Sequence, residues 1–201
     1  VFAYEPGPKM RTEIAVKDLT EAPIGKTFSW FNRWAESVVY DPRDVYLARF
    51  AFKLMLTIPP FAALLFFKFH WALAVGYWLT LFLVFMHTYT LTLHHVSHRT
   101  LFKKHRWMNE LLPVAMGPFM GQPPNGYYAH HIGMHHPENN LPPDLSSTMK
   151  YERDNLFHWL RYFFRFFFGA IIELTSYLWT RGRKRLAVNA LLGEIGFWVM
   201  V

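Results

Sequence analysis

Residues 50–98 read FAFKLMLTIPPFAALLFFKFHWALAVGYWLTLFLVFMHTYTLTLHHVSH. Between Leu54 and Leu93 the only charged residue is Lys68. That run is double the roughly 20 residues that cross a ~30 Å bilayer core, so it predicts a helical hairpin in a membrane rather than a buried hairpin in a soluble protein. A first span is expected at about 50–67, softened by Pro59 and Pro60, and a second at about 69–93. Lys68 and His70 occupy the tight turn, with Trp71 at the interface.

The remainder of the 201 residues is read outward from this hairpin. Apolar residues make up 52% and charged residues 17%, which excludes disordered, collagen-like and coiled-coil classes. Cysteine is absent, which excludes a disulfide scaffold, a thiolate metal site and a cysteine nucleophile. Residues 1–45 form a polar N-terminal segment that opens without an apolar secretory stretch. It begins at Val1 rather than Met, so the chain is expected to be a fragment or a processed piece. Residues 46–201 are expected to form one polytopic, all-α integral membrane domain.

A hairpin returns the chain to its starting side. Arg99, Lys103, Lys104 and Arg106 follow it directly and nominate the cytoplasmic or stromal side. Leu111–Gly121 is too short to span and contains Pro113 and Pro118, so it reads as interfacial or re-entrant. Residues 122–155 are rich in Pro, Asn and Ser and read as a folded loop. The stretch 156–179 is long enough to cross but carries Arg161, Arg165 and Glu173, each costing roughly 2.5 kcal/mol or more at the bilayer centre. Were it a span, Arg181, Arg183, Lys184 and Arg185 would fall on the outer side. An in-plane amphipathic helix is therefore expected there, with residues 186–201 opening a third span. The net charge of +7 reads as membrane flank rather than as a nucleic-acid surface.

Eight of the eleven histidines lie between His94 and His136. His94 and His98 stand four apart at the end of the second span, on one helical face. His131 and His135 repeat that spacing, and His136 is expected to point about 100° away, toward a second metal. Two such groups on one side of a membrane predict a shared metal site, and imidazole suits iron, copper, nickel and zinc alike. His87, His95 and His130 are supporting groups or additional ligands. His70, His105 and His158 stand alone and read as interfacial or solvated. Glu110, Glu138 and Asp144 are the nearest carboxylates, too few for a carboxylate-bridged helical-bundle di-iron site.

The pair His94-x-x-x-His98 after a hairpin and His131-x-x-x-His135-His136 some thirty residues later resembles the first two histidine boxes of the membrane fatty acid desaturase family. The polar segment from Pro137 through Asp154 is similar to the one trailing the second box in some members. The resemblance covers about residues 45–201. It implies a non-haem di-iron centre with His94, His98, His131, His135 and His136 as ligands. It further implies O2 as co-substrate, two electrons from a b-type cytochrome or ferredoxin, and an acyl lipid, acyl-CoA or acyl-carrier substrate in an endoplasmic reticulum or plastid membrane. Chemistry agrees: an unactivated methylene has no acidic proton for a side-chain base, so a metal-bound oxidant must break its C–H bond.

The family has a third histidine box, and this chain ends at Val201, where the third span opens. The chain alone is therefore expected to be inactive or partly metallated. Competing readings are a membrane di-iron hydroxylase, which shares the first hydrogen abstraction, and a degenerate, non-catalytic membrane protein. A transporter is disfavoured because the histidines lie outside the spans. Four-coordinate zinc would not need so many imidazoles.

Overall fold

The computed structural model describes residues 29–200. These are helical almost throughout, and among them the one β contact is an isolated bridge between Val39 and Phe102. The expectations about the first 28 residues lie outside the described part.

Helix α1 (Ser29–Val38) leads through a turn at Pro42–Asp44, capped by the Asp41 side chain, into α2 (Val45–Phe67). Pro59 and Pro60 do not break α2. The helix ends at Lys68, and the chain reverses over residues 68–70. His70 then caps the next helix, its Nδ1 accepting from the Ala72 N–H at 3.2 Å. Helix α3 spans Trp71–His98. Its middle turn, Thr80–Met86, is wound as a π-helix.

Among the described residues, helices α2 and α3 are the two long and apolar enough to cross a membrane. Only 17% and 11% of their most apolar windows are buried. Leu56, Phe66, Phe67, Trp71, Trp78, Leu83 and Leu91 stand exposed along them. An exposed apolar surface of that size is the kind that faces a membrane or a partner. The hairpin is held by one inward seam, in which Leu54 and Ile58 of α2 meet Leu81, Phe85 and Tyr89 of α3 and Leu112 and Met116 of the following loop. The Tyr89 hydroxyl donates to the Leu112 carbonyl at 3.1 Å, fixing that loop against α3.

The stretch 111–121, expected as an interfacial or re-entrant piece, is a π-turn at Leu111–Met116 followed by the tight turn Pro118–Met120. Helix α4 then runs Gly126–His130, passes through a π-turn at His131–His135, and ends at His136–Glu138. Asn139 and Asn140 adopt left-handed backbone and stop it. Helix α5 (Leu156–Thr180) is capped by Asn155, whose side chain accepts from the Phe157 and His158 N–H groups. A turn containing Gly182, at φ 75°, joins it to α6 (Lys184–Met200). Helices α5 and α6 pack on each other and on α4 through Ala129, Leu178, Ala187 and Ala190. Gly193 is required in this packing, because a Cβ there would lie 1.9 Å from the Pro124 carbonyl oxygen.

Candidate metal centre

The hairpin brings the start of α2 to the end of α3. Arg99, one residue past His98, donates to Asp44 at 2.7 Å and to Asp41 at 3.3 Å across 55 and 58 residues of sequence. Asp44 is buried, so this bond anchors the end of α3 rather than decorating a surface. His95 belongs to the same strut: its Nε2 accepts from Arg99 Nε at 3.0 Å and lies 3.4 Å from Asp44. That engagement directs His95 away from the histidines described next. His87 lies exposed on α3.

The last turn of α3 presents His94 and His98 with ring centroids 5.0 Å apart. Helix α4 brings His131 between them, at 4.5 Å from His94 and 5.2 Å from His98. The ligand atoms of these three all lie within 4.8 Å of one another. His131 Nε2 stands 3.2 Å from His98 Nε2 and 3.0 Å from His136 Nε2.

The position of His136 differs from a regular α-helix, in which it would point well away from His131. Pro137 is the cause. Its ring has no N–H for the Gly133 carbonyl four residues back and crowds that carbonyl. The helix widens, and the His136 N–H bonds to the His131 carbonyl five residues earlier. Residues five apart then share a face, so the His136 ring stands beside that of His131. The Gly133 carbonyl receives a donor from outside the helix, the Arg183 guanidinium of the α5–α6 turn. The same corner grips Glu138, which accepts from the Tyr177 hydroxyl and from Arg181 at 2.9 Å.

His135 turns to Asp144, its Nδ1 2.7 Å from Oδ2. A carboxylate on Nδ1 fixes the tautomer and leaves Nε2 with its lone pair, the usual support of a metal-binding imidazole. Burial raises the Asp144 carboxyl, but hydrogen bonds from Ser146, His135 and the Ser146 and Asn140 backbone N–H groups outweigh it and hold it below the ordinary carboxylate value. Tyr127 stacks on His131 at 5.1 Å, and its hydroxyl lies 3.4 Å from His94 Nδ1.

His131 is 7% exposed. Burial, then the nearby His94, His136, His98 and His135, lower its pKa to about 4. At neutral pH its lone pair is free, as a metal ligand requires. Its Nε2 faces two other Nε2 atoms at hydrogen-bonding distance, and it can engage only one of them through a single proton. A cation among them satisfies all three. The donor set therefore fits a metal ion.

His130 faces the other way. It is largely buried, with Nε2 free of any hydrogen-bond partner, and it meets Phe166 edge-on at 5.9 Å. Burial, then His135, lowers its pKa. With Tyr127 and Met134 it lines an open cavity of about 560 Å³, along with Phe166, Phe167 and Leu174 of α5 and Phe197 of α6. His105 and His158 lie apart from the cluster; His105 is exposed, and His158 accepts the Glu152 N–H at 3.0 Å. Glu110 is exposed.

Sequence reasoning did not single out Tyr127, Arg183 or the Asp44–Arg99 strut. Pro137 directly after His136 was the visible signal for the widened turn.

The sequence model described as fatty acid desaturase matches residues 69–192. No curated protein and no solved structure matches the chain.

Proposed function

The chain belongs to the fatty acid desaturase family, and from that premise we propose that it supplies histidines to a di-iron centre that serves O2-dependent desaturation of a fatty acyl chain. The observation that carries this reading is His131, with His94 and His98 on one side and His136 on the other, beside an apolar cavity. His94, His98, His131, His135 and His136 are the residues that would hold iron. When bound, the metal centre supplies the oxidising power that an unactivated methylene demands.

The chain's own residues do the rest. Asp144 orients His135, Tyr127 braces the His131 ring and approaches His94, and the Asp44–Arg99 strut holds the end of α3. His95 serves that strut rather than the metal. His87 and His130 flank the centre. Phe166, Phe167, Leu174 and Phe197 enclose the acyl chain and exclude water.

The proposal places the histidines on the cytoplasmic or stromal face of an endoplasmic reticulum or plastid membrane, within reach of a b-type cytochrome or ferredoxin. Helices α2 and α3 cross the membrane and α6 opens a third crossing. Helix α5 lies in the plane, with the charges of Arg165 and Glu173 paired at 3.1 Å.

Two readouts test this. Iron retained per chain should fall by more than half in His131→Ala and stay unchanged in His105→Ala. Acyl lipids of cells producing the protein at its natural length should lose two hydrogens per chain. Retention unaffected by His131→Ala would sink the metal centre, and products that gain an oxygen instead would shift the reading to a hydroxylase.

A further inference from the structure

Among the described residues three side-chain atoms are buried with no hydrogen-bond partner: Arg49 Nε, His130 Nε2 and Thr175 Oγ1. Two of the three belong to residues that line the cavity of about 560 Å³ beside the metal-binding histidines. Buried polar side-chain atoms are paired in the large majority of cases, so an orphan in a residue on a cavity wall marks where a bound molecule supplies the partner. The two are not equivalent. Thr175 lies within α5, where a turn of its side chain reaches the Ile171 carbonyl four residues back. His130 has no such relief, because its ring is held edge-on by Phe166 at 5.9 Å and stacked with His135 at 6.2 Å. Nor does it turn to the metal centre, where His94, His98 and His131 bring their nitrogens together without it.

We propose that His130 anchors a hydroxyl group carried within the hydrocarbon part of the ligand, so that the cavity selects a hydroxylated acyl chain over a plain one. The chemistry of the lining narrows the partner to this group. No lysine or arginine lines the cavity, so a carboxylate or phosphate would meet no cation there. Its two carboxylates are engaged, Glu173 with Arg165 at 3.1 Å and Glu194 with the Trp198 indole N–H at 3.1 Å. Of the neutral groups, a carbonyl or ether oxygen only accepts and would pair with the imidazole in one tautomer alone. A hydroxyl donates and accepts, so it answers Nε2 in either tautomer. The place of the group along the chain follows from the surroundings. Tyr127, Met134 and Phe166 line the cavity with His130 and are mostly apolar, so hydrocarbon continues on either side of the polar atom. The inference rests on the desaturase reading for the ligand being an acyl chain, though not for its binding.

The test is calorimetric titration of the full chain in an uncharged detergent, with methyl stearate and its mid-chain hydroxyl derivative as probes. The readout is the ratio of the two affinities, because each ester's partition into micelles cancels when parent and variants are compared. The preference for the hydroxy ester should fall about tenfold in His130→Phe, which keeps an aromatic ring against Phe166 and removes Nε2. His130→Leu repeats the measurement should the phenyl ring disturb folding. His130→Gln, whose amide still meets a hydroxyl, should retain most of the preference, and Thr175→Val should leave it unchanged. Phe197→Ala opens the apolar wall and should weaken both esters alike, which places them in the cavity. A ratio that is the same in the parent, His130→Phe and His130→Leu would overturn the proposal. So would an equal fall in Thr175→Val, or two esters indifferent to Phe197→Ala. None of these titrations needs an oxidant or turnover, so they stand apart from any failure of the oxidative reading.

Discussion

Arg183→Ala tests the account of the widened turn in α4. Pro137 cannot donate to Gly133, and Arg183 does so from outside the helix. A hydrogen bond from a charged donor to a buried carbonyl contributes about 1.5–3 kcal/mol, or a 10- to 100-fold change in the equilibrium for opening the helix locally. The reporter is the His136 amide, bonded to the His131 carbonyl within the π-turn. Its hydrogen exchange in metal-free protein should accelerate by that factor in Arg183→Ala. The decisive comparison is a double-mutant cycle with Pro137→Ala, which restores a backbone N–H for Gly133. In that background Arg183→Ala should cost less than half as much. Pro137→Ala by itself should slow exchange, since an interior proline costs about 3 kcal/mol, and yet weaken Co(II) binding followed by its visible absorption. The regular helix it restores rotates His136 off His131. The same loss from Arg183→Ala in both backgrounds would refute this, as would a Pro137→Ala protein that binds cobalt as tightly as the parent.

Three further outcomes follow from other parts of the site. Asp144→Asn should weaken metal binding by about 10- to 100-fold, because His135 loses the carboxylate that fixes its tautomer; an unchanged affinity in a metal titration would remove His135 from the ligand set. The folded pKa of His131 is depressed to about 4, so the unfolded chain binds more protons between that value and about 6.5. Its contribution to stability is then fully present above about 6.5 and lost as pH falls through 4, which denaturation of the metal-free protein across that window would reveal; a flat profile in the parent and a His131→Gln variant alike would contradict it. Gly193→Ala places a methyl on the Pro124 carbonyl and should destabilise the α4–α6 contact by about 1–3 kcal/mol, read as a lower thermal midpoint in detergent; an unchanged midpoint would mean that the helices separate freely.

Much of the fold and the site was legible in local chemistry. The nearly uncharged run from Leu54 to Leu93, broken at Lys68, reports two long apolar helices and the turn between them, because chain length against bilayer thickness needs no tertiary information. His94 and His98 four apart on a helix are likewise close by construction. Periodicity fails where the helix stops being regular. Counting at 3.6 residues per turn sends His136 away from His131, whereas Pro137 widens the turn and unites them. Tyr127, Asp44, Arg99 and Arg183 carry no motif, since each acts on a partner between 4 and 58 residues distant whose identity only the packing reveals.

The sequence by itself determined a helical, apolar chain with two dense histidine groups, since composition, charge and helical spacing are properties of neighbours along the chain. Tertiary structure decided which imidazoles meet. Closure of the α2–α3 hairpin, the Pro137 π-turn and the grip of the α5–α6 corner on α4 set His131 Nε2 within 3.2 Å of His98 Nε2 and 3.0 Å of His136 Nε2, and distances of that kind arise only when separate elements pack.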